Sequence, residues 1–141
     1  MAIPEHYTLL SRTRMPMRWG DMDAMGHVNN TVYFRYLEQA RIELFEALGC
    51  PATPGGVGPV IINAHCTFLR QLRYPGEIEV TSWIGDMGRS SFQSLHQIFR
   101  VDEPEVVYAE GGAKVVWVDQ RIEKSQPLPD EIRERLLTPA R

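Results

Sequence analysis

The chain has 141 residues, and 43% of them are hydrophobic while 23% are charged, which is typical of one globular domain. We therefore treat residues 1–141 as a single domain. A net charge of −3 argues against the basic surface of nucleic-acid-binding proteins, and no apolar run approaches the ~18 residues of a membrane span. Cys50 and Cys66 form no CxxC motif, and no signal-peptide pattern is visible, so we expect a cytoplasmic protein without disulfides or a metal site.

The first two predicted elements are a strand and a long helix. The strand covers residues 7–19. The helix covers residues 31–48, because apolar side chains recur there at spacings of three and four without Gly or Pro. Asn30 is placed as the N-cap, and Gly49 followed by Pro51 is the expected stop. Within this helix Glu38 and Arg41 are spaced to form an ion pair.

Four more strands follow a Pro/Gly-rich loop at residues 51–59. Three short breaks, YPG, DMGR and DEPE, have the length of hairpin connections. Gly111 and Gly112 indicate either a bulge or a close backbone approach inside the last strand. A short helix is predicted at residues 129–137. The four strands cover residues 60–72, 77–86, 91–102 and 106–119.

The order β-α-β-β-β-β predicts an α+β fold in which one antiparallel sheet wraps around one long central helix. A sheet must bury one face and an amphipathic helix must bury its apolar stripe, and wrapping satisfies both requirements. The outer face and the edge of such a sheet are surfaces on which a partner subunit can pack.

The densest cluster of polar residues, RWGDMDAMGHVNN at residues 18–30, directly precedes the long helix. A plain capping loop is one interpretation, because Asp, Asn and Gly favour turns. A calcium loop is a second, but Met25 and Val32 stand at positions 5 and 12 of the EF-hand pattern, where oxygen ligands are needed. An Asp-x-Asp-x₃-His run offers too few ligands for zinc.

The third interpretation is catalytic. The N-terminus of a helix presents free amides that polarise a carbonyl oxygen, and a neighbouring carboxylate acts as nucleophile or as general base toward water. No G-x-S-x-G elbow supplies a serine nucleophile. A thioester suits this equipment, because its thiol leaving group, with a pKa of about 8.5, needs little help from a general acid.

The run GDMDAMGHVNNTVYFRYLEQAR resembles the signature of hotdog-fold acyl-CoA thioesterases related to 4-hydroxybenzoyl-CoA thioesterase. The resemblance implies a hotdog fold over nearly the whole chain. It implies that Asp23 is the catalytic carboxylate and that the backbone amide of Asn30 polarises the thioester carbonyl. It also implies homodimers or homotetramers joined through their sheets, with active sites at subunit interfaces and no metal or redox cofactor.

The H-V-N-N portion is also similar to plant acyl-carrier-protein thioesterases, in which an Asp, an Asn and a His take part in catalysis. Here the three positions hold Asp23, Met25 and His27. Met25 departs from that pattern. His27 is retained as a catalytic helper or as a structural hydrogen-bonding residue, and both roles stay open.

Coenzyme A brings phosphates that need cations or amides. Arg70, Arg73 and Arg89 flank predicted turns, and Ser90 and Ser91 follow in a segment similar to one that borders the pantetheine channel of the family. We therefore expect these five residues to bind the substrate. The predicted activity is hydrolysis of acyl-CoA to a free acid and coenzyme A. An acyl-carrier-protein thioesterase and a non-catalytic acyl-CoA-binding module are the alternatives.

Overall fold

The computed structural model describes residues 2–50 and 54–140. It contains six strands, two α-helices and one 3₁₀ turn at Trp19–Asp21. The predicted order β-α-β-β-β-β is confirmed for the long elements, and a two-residue strand precedes the C-terminal helix. In chain order the elements are β1 (Thr8–Pro16), α1 (Asn30–Ala47), β2 (Val57–Phe68), β3 (Glu77–Gly85), β4 (Ser91–Arg100), β5 (Glu103–Asp119), β6 (Lys124–Ser125) and α2 (Asp130–Leu136).

All strand pairs are antiparallel, and the long strands lie in the order β1-β3-β4-β5-β2, with β6 paired to the end of β5. The strands β1 and β2 are therefore the two edges of the sheet. Helix α1 packs on one face, and Gly111 on β5 allows the close approach. A Cβ atom at Gly111 would lie 2.8 Å from Cδ1 of Leu37, so the alternative of a close approach, rather than a bulge, is confirmed.

Helix α1 begins one residue earlier than predicted, and its N-cap is Asn29 rather than Asn30. The Oδ1 atom of Asn29 accepts a hydrogen bond from the backbone N–H of Thr31 at 2.9 Å, while Asn30 is the first helical residue. The helix ends at Ala47, and Gly49 follows with a φ of +82°. Pro51, predicted as part of the stop, lies outside the described residues.

Strand β2 begins and ends earlier than predicted. Gly58 and Pro59 belong to it, and an edge strand tolerates a proline that donates no hydrogen bond. Leu72 leaves the sheet because its backbone binds the start of α1. Its N–H donates to the hydroxyl of Tyr33 at 2.9 Å, and its carbonyl accepts from the N–H of Val28 at 2.8 Å.

The other differences are small. Strand β1 stops at Pro16, which has no N–H for a further ladder bond, and the following residues form the 3₁₀ turn. Strand β5 starts at Glu103, so the break after β4 is shorter than predicted. In the part of the chain that the structure describes, no helix combines the length and the apolar character needed to cross a bilayer.

The core consists of two apolar clusters between α1 and the sheet. One surrounds the first half of α1, with Tyr33 and Leu37, and the other surrounds the second half, with Leu44 and Phe45. Polar side chains lie between them on β3 and β4. The fully buried His96 is within 3.0 Å of the Ser82 hydroxyl through Nδ1, and its Nε2 has no partner among the described residues.

Candidate active site

The segment before α1 folds into a tight loop. Met22 and Val28 form an isolated antiparallel bridge, and the N–H of Asp23 donates to the carbonyl of His27 at 3.0 Å. The N–H of Gly26 donates back to the carbonyl of Asp23 at 3.0 Å, and Gly26 has a φ of +82° that favours glycine. This loop holds Asp23 immediately beside the start of the helix.

Two donors fix the carboxylate of Asp23. Oδ1 accepts from the N–H of Met25 at 2.9 Å, and Oδ2 accepts from the side-chain amide of Asn29 at 3.1 Å. Asp23 is only partly buried. Each carboxylate oxygen has two lone pairs, so the group keeps a lone pair that can accept a hydrogen bond from water or attack a carbonyl carbon.

The N-terminus of α1 keeps one free amide next to this carboxylate. The N–H of Thr31 is bound by the side chain of Asn29, and the N–H of Val32 donates to the carbonyl of Asn29 at 2.9 Å. No hydrogen bond among the described residues uses the N–H of Asn30, and Asn30 is exposed. This N–H, at the positive end of an 18-residue helix, is placed to polarise a carbonyl oxygen.

Asp21 binds both the loop and helix α1. Its Oδ2 accepts from the N–H of Arg18 at 2.9 Å and from the hydroxyl of Tyr36 at 2.6 Å, and its carbonyl accepts from the N–H of Asn29. Burial, together with the hydrogen bond to Asp21, raises the pKa of Tyr36 above its ordinary value. Asp21 therefore ties the loop to α1, whereas Asp23 is held by the capping residue Asn29.

His27 is half-buried, and its imidazole takes part in no hydrogen bond among the described residues. Its backbone carbonyl, not its ring, closes the loop. The ring is thus not a structural hydrogen-bonding group within this part of the chain, and it remains available to a ligand.

The predicted substrate-binding residues fall at two separate places. Arg70 and Arg73 follow β2 in the segment bound to the start of α1, where the carbonyl of Arg70 accepts from the hydroxyl of Tyr33 at 3.0 Å. Arg89, Ser90 and Ser91 lie at the turn between β3 and β4. That turn packs against the α2 end of the molecule, with the carbonyl of Arg89 accepting from the N–H of Leu128. A single chain therefore does not bring this second group to Asp23.

Two cavities flank α1, and Asp23 lines neither. A cavity of about 740 Å³ lies beside the second half of α1, between the start of β2 and α2, and Ile42, Phe45 and Trp117 contribute to its wall. A groove of about 390 Å³ lies between β1 and α1, beside Asp21. Within residues 2–50 and 54–140, no group of three His, Cys, Asp or Glu side chains is placed to hold a metal ion.

The resemblance implied a carboxylate beside a free helix amide, and the structure has Asp23 bound to the residue that caps α1. Residues 17–136 match the family model of the thioesterase-like superfamily. The chain belongs to this superfamily. Among solved structures it is similar to the candidate thioesterase PA2801 of Pseudomonas aeruginosa, with 41% identity and a TM-score of 0.86 over 89% of this chain and 97% of that chain.

Two further proteins are similar to this chain, one in structure and one in sequence. A candidate acyl-CoA thioesterase of Xanthomonas campestris, XC229, is 33% identical with a TM-score of 0.74, over 84% of this chain and 99% of that chain. The long-chain acyl-CoA thioesterase FadM of Escherichia coli (strain K12) is 26% identical over 128 residues, which cover 89% of this chain and 96% of FadM. The hotdog fold is thereby confirmed, and membership of the thioesterase-like superfamily supports thioester hydrolysis as the general activity.

Sequence reasoning missed Asn29 as the residue that joins the carboxylate to the helix. The adjacent Asn29 and Asn30 are both good N-cap residues, so local preference does not choose between them. The side-chain bond from Asn29 to Asp23 is a tertiary contact, and it becomes visible only when the loop is folded.

Proposed function

We propose that this thioesterase-like protein hydrolyses acyl-CoA thioesters to a free carboxylic acid and coenzyme A, with Asp23 as general base or nucleophile. The observation that carries the proposal is the Asp23 carboxylate, held by Met25 and Asn29, beside the unbonded N–H of Asn30. The similarity to FadM and to XC229, whose names specify acyl-CoA thioesters, favours coenzyme A over acyl-carrier protein.

The chemistry follows from the positions of the two groups. The carbonyl oxygen of the thioester accepts a hydrogen bond from the N–H of Asn30, which stabilises the negative charge that develops as the carbon is attacked. As a general base, Asp23 removes a proton from water while the water oxygen bonds to the carbonyl carbon. The carbon–sulfur bond then breaks, and the proton passes to the departing thiolate, which leaves the acid and coenzyme A.

As a nucleophile, Asp23 would itself bond to the carbonyl carbon and release the thiolate, and water would then hydrolyse the resulting anhydride. Both routes use the same two groups, and no metal or redox step enters either. His27, whose ring is unbonded among the described residues, is proposed as a helper that contacts the substrate or the attacking water.

We further propose that the active site is completed by a second copy of the chain through β2. This edge strand is 12 residues long, its sequence VGPVIINAHCTF carries no Asp, Glu, Lys or Arg, and Ile62 and Phe68 are exposed on it. The opposite edge, β1, carries Arg12 and Arg14, which protect an edge from pairing. A long apolar edge without charges is the surface that a partner strand covers.

Antiparallel pairing of two β2 strands about a two-fold axis brings opposite ends of the two protomers together. The end of β2 at Phe68, close to the loop of Asp23, would then face the partner end at which Arg89 lies. Arg70 and Arg73 from one chain and Arg89, Ser90 and Ser91 from the other are the groups we propose for the phosphates and the pantetheine chain of coenzyme A.

A panel assay of thiol release tests the activity. Purified protein is offered acyl-CoA thioesters of different chain lengths and the matching acyl-carrier-protein thioesters, and we expect hydrolysis of at least one acyl-CoA. The Asp23→Asn variant should fold normally and lose about 10²–10⁴ in kcat, with little change in KM, because the carboxylate acts in the transition state.

Asp21→Asn is the matched control, because it makes the same change in the same loop and Asn can still accept the bonds that hold Tyr36 and Arg18. It should retain most of kcat. A folded Asp23→Asn protein that keeps most of its kcat would remove Asp23 from the mechanism. Binding of acyl-CoA without any thiol release across the panel would favour the acyl-CoA-binding module.

A further inference from the structure

Arg41 is a buried cation with no partner among the described residues. It lies on α1 with 8% of its surface exposed, and no hydrogen bond or ion pair within residues 2–50 and 54–140 involves its guanidinium. Burial lowers the pKa of Arg41, and the nearby charge of Glu38 acts in the opposite direction. Arginine is still charged in such a site. A buried guanidinium that keeps its charge needs an acceptor.

The expected pair between Glu38 and Arg41 is not formed. The Oε1 atom of Glu38 accepts from Arg35 at 3.1 Å instead, and both of those side chains are exposed. Arg35 and Arg41 both lie three residues from Glu38, and the exposed pairing leaves Arg41 on the inner side of the helix. The spacing of three residues therefore correctly predicts an ion pair of Glu38 with an arginine, but Arg35 rather than Arg41 forms it.

Arg41 lines the cavity of about 740 Å³ beside the second half of α1. This volume lies within the range of small-molecule sites, about 300–1,000 Å³. The wall is mostly apolar, with Ile42, Phe45 and Trp117 among its residues, and a carboxylate of the wall, Glu131, is already paired with Arg135 at 2.5 Å. Arg41 is thus the charged group of the wall that has no counter-ion among the described residues.

We propose that this cavity binds a carboxylate carried on an apolar chain, with Arg41 as the partner of the carboxylate. The apolar wall accommodates the chain, and the guanidinium donates two parallel, charge-assisted hydrogen bonds to the carboxylate. Arg41 and Glu38 give this wall its charged side chains on α1, and Glu38 is already paired with Arg35.

Two sources supply such a ligand. One is a free carboxylic acid, the class of product that thioester hydrolysis releases. The other is the far end of a thioester substrate whose acyl chain ends in a second carboxylate. This second source rests on the proposed function. Within one chain, Arg41 lies about 16 Å along α1 from Asn30, which is too far for one short acyl chain to reach both residues. In the proposed dimer, the β2 pairing would bring the partner's cavity toward Asn30.

Binding of octanoate and of octanol, measured by calorimetry on the purified oligomer, tests the site itself without any activity. We expect octanoate to bind at least about ten-fold more tightly than octanol, and Arg41→Gln to abolish that preference. Arg14→Gln is the control, because Arg14 is an exposed arginine on β1 that pairs with Glu79 away from the cavity. Equal binding of the two probes, no binding, or an unchanged preference in Arg41→Gln would overturn the proposal.

A second variant keeps the test valid if Arg41→Gln does not fold. Ile42 lines the cavity and is partly exposed, so Ile42→Trp fills space while leaving the guanidinium in place. Octanoate binding should be lost in this variant, and retained binding would overturn the proposal.

Hydrolysis then identifies the source. A preference for the eight-carbon CoA thioester with a terminal carboxylate over octanoyl-CoA, lost in Arg41→Gln, assigns the site to the acyl end of the substrate. Octanoate binding without that preference assigns it to a free acid. A protein that hydrolyses neither thioester would contradict the proposed function and leave the binding result standing.

Discussion

The side chain of Asn29 donates a hydrogen bond to the carboxylate of Asp23 at 3.1 Å and at the same time caps α1 by accepting from Thr31 at 2.9 Å. One residue thus couples the position of the candidate catalytic carboxylate to the start of the helix, where the N–H of Asn30 has no hydrogen bond among the described residues. The amide nitrogen of this neutral side chain donates to Asp23 while its carbonyl oxygen accepts from Thr31.

Replacing Asn29 should separate these two roles. Asn29→Ala loses the cap and should lower the free energy of unfolding by about 1 kcal/mol, and it should also lower kcat because Asp23 loses a donor. Asn29→Ser still caps the helix but removes the amide, so it should recover most of the stability and little of kcat. Denaturant unfolding and steady-state kinetics on both variants measure this. Parallel recovery of stability and kcat in the serine variant would give Asn29 a structural role only.

The long elements were predictable because their signals are repetitive. Apolar spacing identified α1, and alternation was clearest in the sequences of β2 and β3. In α1 and β3 the signal extends over a buried face. The ends depend on single contacts. Leu72 reads as a continuation of β2, yet its backbone binds Tyr33 and Val28 at the start of α1, and that contact lies far away in sequence.

The candidate site was predictable only where its residues are contiguous. Asp23 and the start of α1 lie within one short segment, so the sequence places them together. Arg89 belongs to the turn between β3 and β4, which lies at the α2 end of the molecule. Among the described residues, Arg41 is unpaired because Glu38 pairs with Arg35 instead. Such choices between equivalent partners leave no pattern in the sequence.

The buried His96 should make stability depend on pH. Burial is the main cause that lowers its pKa from 6.5 to about 3, and the charges of Arg41 and His65 act in the same direction. Between these two values the unfolded chain binds a proton that the folded chain does not. The free energy of unfolding should therefore fall as pH falls below about 6.5, with a slope that approaches about 1.4 kcal/mol per pH unit.

Urea unfolding from pH 7 to about pH 5 measures this effect before most carboxylates, with ordinary pKa values near 4, begin to contribute. His96→Gln removes the titrating group and can still bond to Ser82, so its stability should change less over this interval. The other three histidines are present in both proteins, and the difference between the two curves isolates His96. Parallel curves would show that His96 takes up a proton in the folded state.

The three candidate coenzyme A arginines can be tested without disturbing the fold. Among the described residues, their hydrogen bonds use backbone atoms, and no ion pair involves the side chains of Arg70, Arg73 or Arg89. Changing each to Gln should raise KM for acyl-CoA more than it lowers kcat, because contacts to phosphate persist from the ground state to the transition state.

A short thioester of N-acetylcysteamine lacks the nucleotide and is the comparison substrate, so its KM should be nearly unchanged in the same three variants. Arg12→Gln, on the β1 edge beside Glu79, is the control and should leave both substrates unaffected. Equal losses on the two substrates would assign the three arginines to structure rather than to the nucleotide.

The exposed β2 edge predicts that assembly and activity are lost together. Ile62 lies on β2 with 55% of its surface exposed, so Ile62→Lys should not disturb the core of the protomer. A lysine on this edge places a charge where the second β2 strand would pair, and desolvating it opposes pairing. Light scattering should find a dimer for the unmodified protein and a monomer for the variant.

Ile122→Lys is the matched control, because Ile122 is 57% exposed but lies after β5 and outside β2. It makes the same change of side chain at the same exposure, and it should leave both assembly and hydrolysis intact. Because the residues proposed for coenzyme A come from opposite ends of two chains, the monomeric Ile62→Lys protein should lose activity on acyl-CoA while unfolding as one cooperative unit. A monomer that retains full kcat and KM would place every catalytic and binding residue within one chain and would reject the composite site.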